Sequence, residues 1–590
     1  MRICSLLVLW LARAAAAQEV GPPPAGPTAI VFKNVSLISM VEARVESDRT
    51  VVVRGERIVS IGTTDQIVVP PGATVIDGTG RFLMPGLTDA HVHLEAWQGV
   101  RPDFGDAPLY LAHGVTTVVN LRGTPEFLDW RRRVNNGELL GPTIYTAGEF
   151  IIGPAGPSLR RDSGELVVGP NVTTTDDVVR EVEAQARQGV DIIKYYGGLS
   201  RPEYLKMNEA ARTAGIPVVG HRPIPLELDA LLEARQPLAH MHMLTNLYFW
   251  PLSSQMMTLF ANAAALFVLV LIAASSGVGG LVKHRRPAAA HLPLASRLRS
   301  LTGWLLLGAL LAVIVQVDVF VFNRLQPNLL LVGFAALTLF VSIVSVALLG
   351  VSVSVWRAPN TSTMTRLRAP LTAIAGLVLA FALASFWTRA SWRATESGID
   401  RLAQQLRDAD IPVETTLVGF AVLTSGPDRL RAMQADSWLD YLAPAIQDGW
   451  RHLPTEPAPV VPEPILDFMK TVTARLHRHG VRLVAGTDAL GAPLIVPGVS
   501  LHDELTLLTQ CGLSPYEAIR TATTNAAALL RRDAEFGTVD VGKRADLLLL
   551  DRNPLQDLSV MKRPLGVLVR GRWLPREDLD RMLADLVNRR

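Results

Sequence analysis

From Thr116 to Leu530 this 590-residue chain repeats one order, a short run of branched apolar residues followed by a helical stretch. The strand candidates are Thr116 to Leu121, Thr143 to Ala147, Val190 to Tyr196, Ile216 to His221, Leu238 to His242, Val413 to Val418 and Val481 to Asp488. The helices between them carry their own punctuation. Thr175 is the predicted cap of the stretch ending at Gln188, with Asp176 and Asp177 in the first turn where the helix dipole favours acids. Ser200 and Glu203 suggest a capping box, and Gly215 stops that helix. Strands separated by helices run parallel, because each crossover returns the chain to the same end of the sheet. The pattern predicts a parallel α/β barrel.

Both chain ends read differently. Residues 28–84 hold short apolar runs broken by turn residues, such as Thr50 to Val53 and Arg57 to Ile61 around Arg54-Gly55-Glu56. Residues 535–590 answer with Ala545 to Asp551 and Gly566 to Gly571. These are antiparallel strand signals, and they predict a composite β-sandwich assembled from both ends. Ahead of it, Arg2, the apolar run Ile3 to Ala12 and the small residues Ala14 to Ala17 read as a signal peptide over residues 1–17. Residues 18–27 form a Pro-rich linker. Cys511 is then the one cysteine outside the leader, so no internal disulfide is expected.

The alternation is broken once, at residues 251–390. Met256 to Ala274, Leu301 to Phe322, Leu329 to Val355 and Leu371 to Phe386 are apolar runs at or near the ~20 residues that span a bilayer. Ten Lys or Arg and one acid, Asp318, lie in this segment, a local balance of +9 in a chain of net charge +3. The basic residues flank the apolar runs and form no nucleic-acid footprint. Lys283 to Arg299 and Arg357 to Arg368 are basic connections, whereas Asn323 to Asn328 carries one positive charge. The positive-inside rule then orients a four-helix transmembrane insert with both ends outside. The expectation is a multi-pass protein of the cell membrane, with the lipid bilayer as partner and an extracytoplasmic barrel, periplasmic in a Gram-negative cell.

His91 and His93 stand two apart on a strand, so both imidazoles face one side. Lys194, His221, His240 and Asp488 fall at the ends of later strands, the face where barrel enzymes place their chemistry. Singly, each has a plain reading as a turn former or hydrogen bonder. Six such residues in barrel order predict a metal site.

The segment Met84-Pro85-Gly86-Leu87-Thr88-Asp89-Ala90-His91-Val92-His93 resembles the signature of the amidohydrolase superfamily. Asp191 to Gly198, Val218 to Pro223, Ala485 to Ala489, Pro497 to Leu505 and Gly537 to Asp546 are similar to pieces of its prolidase-like and imidazolonepropionase-like branch. The resemblance covers nearly everything outside residues 251–390. It implies a (β/α)8 TIM-like barrel, split into residues 85–250 and 391–534 and flanked by the composite sandwich. It also implies two divalent metals, zinc by the chemistry of the donor set. Lys194 is then a carboxylated bridging ligand, His221 and His240 hold the second metal, and Asp488 is both ligand and catalytic base. One departure stands out: the family has Glu before the histidine of the sixth strand, and here Ala239 occupies that place. His242, two residues beyond His240, is the alternative ligand.

These readings predict a membrane-anchored metal-dependent hydrolase that cleaves an amide or peptide-like carbon–nitrogen bond by attack of a metal-bound hydroxide. Its substrate would be a small or peptide-like molecule, amphiphilic if the site faces lipid. The alternatives are a ligand-binding membrane sensor or transport-linked module, and a mononuclear deaminase or cyclic amidase.

Overall fold

The computed structural model describes residues 28–94, 104–156, 171–223, 226–248, 327–357, 395–455 and 463–588, together with 159–160, 166–168 and scattered positions from 363 to 393. The signal-peptide and linker expectations lie outside the described residues.

Five strands come from the first part of the chain: β1 (Ile30–Leu37), β2 (Glu46–Arg54), β3 (Arg57–Thr63), β4 (Thr74–Asp77) and β5 (Phe82–Pro85). The next group is β6 (Leu87–Val92), β7 (Val115–Asn120), β8 (Thr143–Thr146), β9 (Ile151–Ile152), the small hairpin β10 (Leu159–Arg160) and β11 (Leu166–Val168), β12 (Ile193–Gly197), β13 (Val218–Gly220), β14 (Val413–Glu414) and β15 (Leu483–Val484). The chain ends with β16 (Leu547–Leu550), β17 (Gly566–Val569) and β18 (Arg572–Pro575).

The two ends meet in one eight-stranded sheet, ordered β18-β17-β16-β5-β1-β2-β3 with β4 beside β1. A sandwich was expected from the pattern, and the strands instead form one continuous sheet. β5 is the joint, parallel to β1 through Leu37 and Leu83 and antiparallel to β16 through Leu547 and Pro85. Phe32, Val51, Leu83, Leu547 and Leu568 bury one face together. After β5 a single residue, Gly86, turns the chain into the barrel. A Cβ there would lie 2.1 Å from Thr116 Oγ1, so only glycine allows β6 to start beside β7.

The barrel closes through parallel pairing alone. β6 pairs β7 and β7 pairs β8. Ala147 then bridges Ile192, β12 pairs β13, Gly220 bridges Leu238, and Leu238 bridges Val413. β14 pairs β15, and Ala489 returns to Val92. Eight strand positions result, the sixth reduced to the bridge at Leu238. Ala90, Val119, Ala147, Ile192, Val219, Ala239 and Val484 pack in one fully buried cluster, a filled core of the kind small barrels require. Helices Thr175–Gln188, Arg201–Thr213, Glu396–Asp408 and Glu463–Arg478 are among the crossovers. Two caps differ from expectation. Thr174, one residue earlier than predicted, caps its helix and completes a capping box with Asp177. The Ser200 side chain makes no bond to its helix backbone, its hydroxyl meeting the Glu203 carboxylate instead.

The four-helix transmembrane insert is corrected. The first two apolar runs lie outside the described residues. The third falls on helix Pro327–Arg357, whose side chains are described without a break only from Ser342 onward, and the fourth on isolated positions. Among the described residues no helix is long and apolar enough to cross a membrane. That finding overturns the multi-pass membrane placement. The bilayer as partner and the amphiphilic substrate were derived from it and lose their basis, and the extracytoplasmic orientation loses the support it drew from the spans.

Candidate metal centre

β6 delivers His91 at its last turn and His93 just past its end, and the segment after β15 runs alongside. His93 N–H donates to Ala489 O at 2.9 Å and Asp488 N–H to His91 O at 2.8 Å, which sets the Asp488 carboxylate over both imidazoles. Asp488 Oδ1 lies 2.9 Å from His93 Nε2 and 3.6 Å from His91 Nε2. One donor atom from each of the three converges within 4.8 Å. Asp488 and His240 hold this arrangement with left-handed backbones, φ 63° and 67°, a conformation that costs a non-glycine residue about 1–2 kcal/mol. Such strain concentrates at functional sites. Gly491 closes the turn: a Cβ there would sit 2.4 Å from His93 Cδ2 and 2.5 Å from Asp488 Oδ1.

The remaining expected residues gather on the same side. The His240 ring centre is 4.3 Å from that of His91 and 5.2 Å from that of His221. Lys194 on β12, His221, His240, His93 and Asp488 line one cavity of about 60 Å³ together with Arg122, Phe150 and Tyr196. Phe150 stacks on Tyr196 at 4.6 Å, Tyr196 leans on His221 at 4.3 Å, and the Arg122 guanidinium sits 5.8 Å over the Phe150 ring. His242 does not line this cavity. The helix Met241–Tyr248 begins at the preceding residue, so the alternation of a strand no longer applies and His242 packs against Phe420 at 4.7 Å.

Burial governs the charge states. His91 and His221 are held well below the ordinary imidazole value by burial first and by Lys194 next, and His240 by burial against the opposing pull of Asp488. Neutral rings keep a lone pair for a cation. Burial lowers the Lys194 amine to about 8, against the opposing charges of Glu414 and Asp488. Burial alone would raise Asp488, but its hydrogen bond to His93 and the charges of His240, His93 and Lys194 outweigh that and hold it below the usual carboxylate range.

Two buried acids behind the centre were not singled out in the sequence. Asp89 Oδ1 accepts from the His91 and Thr487 N–H groups at 3.3 and 3.0 Å, and its Oδ2 accepts the Thr487 hydroxyl at 2.7 Å. Glu414 Oε2 lies 2.9 Å from His91 Nδ1. Asp89 was legible as a third residue on the face of His91 and His93, and Glu414 as a charge inside an apolar strand run.

A divalent metal fits these residues. His91 Nε2 and Lys194 Nζ are buried without a hydrogen-bond partner among the described residues, and both border the convergent donors. Three neutral imidazoles and a carboxylate form a zinc-type donor set. Orphaned buried nitrogens would otherwise be costly.

The sequence model of the Amidohydrolase family matches residues 468–574. An adenine deaminase of Rubrobacter xylanophilus is 36% identical over 114 residues, 18% of this chain and 19% of that protein. An adenine deaminase of Staphylothermus marinus is 26% identical over 225 residues, 35% of each. The chain thus spans well under half the length of these curated relatives. Among solved structures, a bottromycin amidohydrolase matches with a TM-score of 0.56 at 21% identity, covering 98% of this chain and 96% of that one. A Xaa-Pro dipeptidase with bound methionine matches with a TM-score of 0.52 at 15% identity, covering 93% and 100%.

Proposed function

We propose that this chain is a metal-dependent hydrolase acting on a carbon–nitrogen bond of a small amide or peptide-like substrate, a reading supported by the match of the Amidohydrolase family model to residues 468–574. The observation that carries the reading is the convergence of His91, His93 and Asp488 within 4.8 Å beside the unpartnered Lys194 amine. His91, His93 and Asp488 would hold one cation, and His221 and His240 a second. Lys194, as a carbamate, would bridge the two. A buried amine lowered to about 8 is neutral often enough to take up carbon dioxide, which supports the carbamate. Zinc or a similar cation supplies Lewis acidity, making water nucleophilic near neutral pH and polarising the scissile carbonyl.

The chain's own groups do the proton work. Asp488 lies below the usual carboxylate range, so it is ionised and accepts the proton of the attacking water. It returns that proton to the leaving nitrogen as the carbon–nitrogen bond breaks, giving an acid and an amine. Phe150, Tyr196 and Arg122 form the wall across which the substrate lies.

Metal analysis coupled to a hydrolase screen tests this. About two zinc ions per chain, with turnover of an acyl-amino acid, dipeptide or cyclic amide abolished in Asp488→Asn, is the expected result. A metal-replete protein that hydrolyses none of these, and that Asp488→Asn leaves unchanged, overturns it. The mononuclear deaminase or cyclic amidase reading has its own support, since the donors that converge most tightly belong to one position only. One zinc and no carbamate mass on Lys194 would select it.

A further inference from the structure

We propose that the turn Glu414-Thr415-Thr416 is the device that orients both halves of the centre, with Glu414 the positioning residue for His91 and Thr416 for His240. The proposal rests on the reading of those histidines as ligands. Both side chains leave the same short turn at the end of β14. Glu414 Oε2 lies 2.9 Å from His91 Nδ1, and Thr416 Oγ1 lies 2.9 Å from His240 Nδ1. Each contact engages Nδ1, so each leaves Nε2 for a cation. On His91 that Nε2 has no hydrogen-bond partner and faces Asp488 Oδ1 at 3.6 Å.

The turn is itself held in place. Thr416 has a left-handed backbone at φ 44°, and helix Leu417–Leu423 starts at the next residue. Glu504, buried on the helix Val499–Gln510, accepts the Thr415 hydroxyl and the Val418 N–H, the latter at 2.7 Å. Val484 O receives the Thr415 N–H at 3.0 Å. Glu414, Thr415 and Thr416 are all nearly inaccessible to solvent, so neither contact competes with water. An acid with no exposed surface is almost never found unless it is paired, and His91 is the partner here. A hydrogen bond to the far nitrogen of a ligating histidine fixes the ring's tautomer and orientation, and its loss typically weakens metal affinity 10- to 100-fold.

Zinc titration of apo-protein against a competing chelator tests this without any substrate. Glu414→Leu should weaken one zinc about 10- to 100-fold and Thr416→Val the other, each leaving its partner site near native affinity. Glu414→Gln and Thr416→Ser should restore affinity to within about tenfold, because each keeps an acceptor for the Nδ1 proton. If Glu414→Leu fails to melt cooperatively, the Gln and Ser variants and Thr416→Val decide the matter. Native zinc uptake with unchanged affinity in Glu414→Leu and Thr416→Val overturns the proposal alone. So does a folded Glu414→Gln as weak as Glu414→Leu. No zinc uptake by the native protein overturns the ligand reading, and this proposal with it.

Discussion

Asp89 holds Thr487 twice, by its backbone N–H at 3.0 Å and by its hydroxyl at 2.7 Å. The first and last barrel strands are thereby fastened together immediately beneath Asp488. The residue that carries the carboxylate and the strand that carries both histidines cannot shift independently.

Thr487→Val keeps the backbone bond and removes the hydroxyl, leaving Asp89 Oδ2 buried without a donor. Such a loss costs about 1–3 kcal/mol. Thermal melting should register that loss, and zinc affinity should drop with it because Asp488 is the next residue. A variant with native melting and native zinc binding would show that the fastening is idle.

The metal-free protein should lose stability as the pH rises from about 7 to 8. Burial raises Asp89 and Glu504 to about 7 and Glu414 to about 8. A folded acid with a raised pKa binds a proton that the unfolded chain has already released. Its share of stability is therefore complete below the unfolded value near 4 and disappears as the pH climbs through the folded one. Each group contributes at most about 1.4 kcal/mol per pH unit. The buried histidines act oppositely, and their effect fades only above about pH 6.5, where the unfolded imidazole is half-protonated. Melting with a chelator across this window checks the slope, and Asp89→Asn should flatten it.

Gly491→Ala should damage the centre without altering a single donor. The new methyl would stand 2.4 Å from the His93 ring and 2.5 Å from the Asp488 carboxylate. Overpacking of this kind costs about 1–3 kcal/mol. Zinc titration should show weakened binding at the position shared by those two residues, with the barrel still cooperative on melting.

Much of this was legible in the chain. Parallel strands with helical crossovers announced the barrel, and the donors stood at strand ends in order. What escaped prediction depended on where strands stop. His242 looked equivalent to His240 because the sixth strand was extended to it, whereas a helix starts at Met241 and turns it towards Phe420. Glu414 was passed over because its partner lies 323 residues away, a contact no local pattern encodes. The apolar runs of residues 251–390 led to a membrane placement that no described helix supports.

The pairing of β5 with both β1 and β16 has a consequence for biosynthesis. β5 leaves the ribosome before β16, and one of its two edges stays open until β16 follows more than 450 residues later. Gly86 alone separates β5 from the strand that bears His91 and His93. The two histidines are thus made well before the strand that completes the sheet beside them.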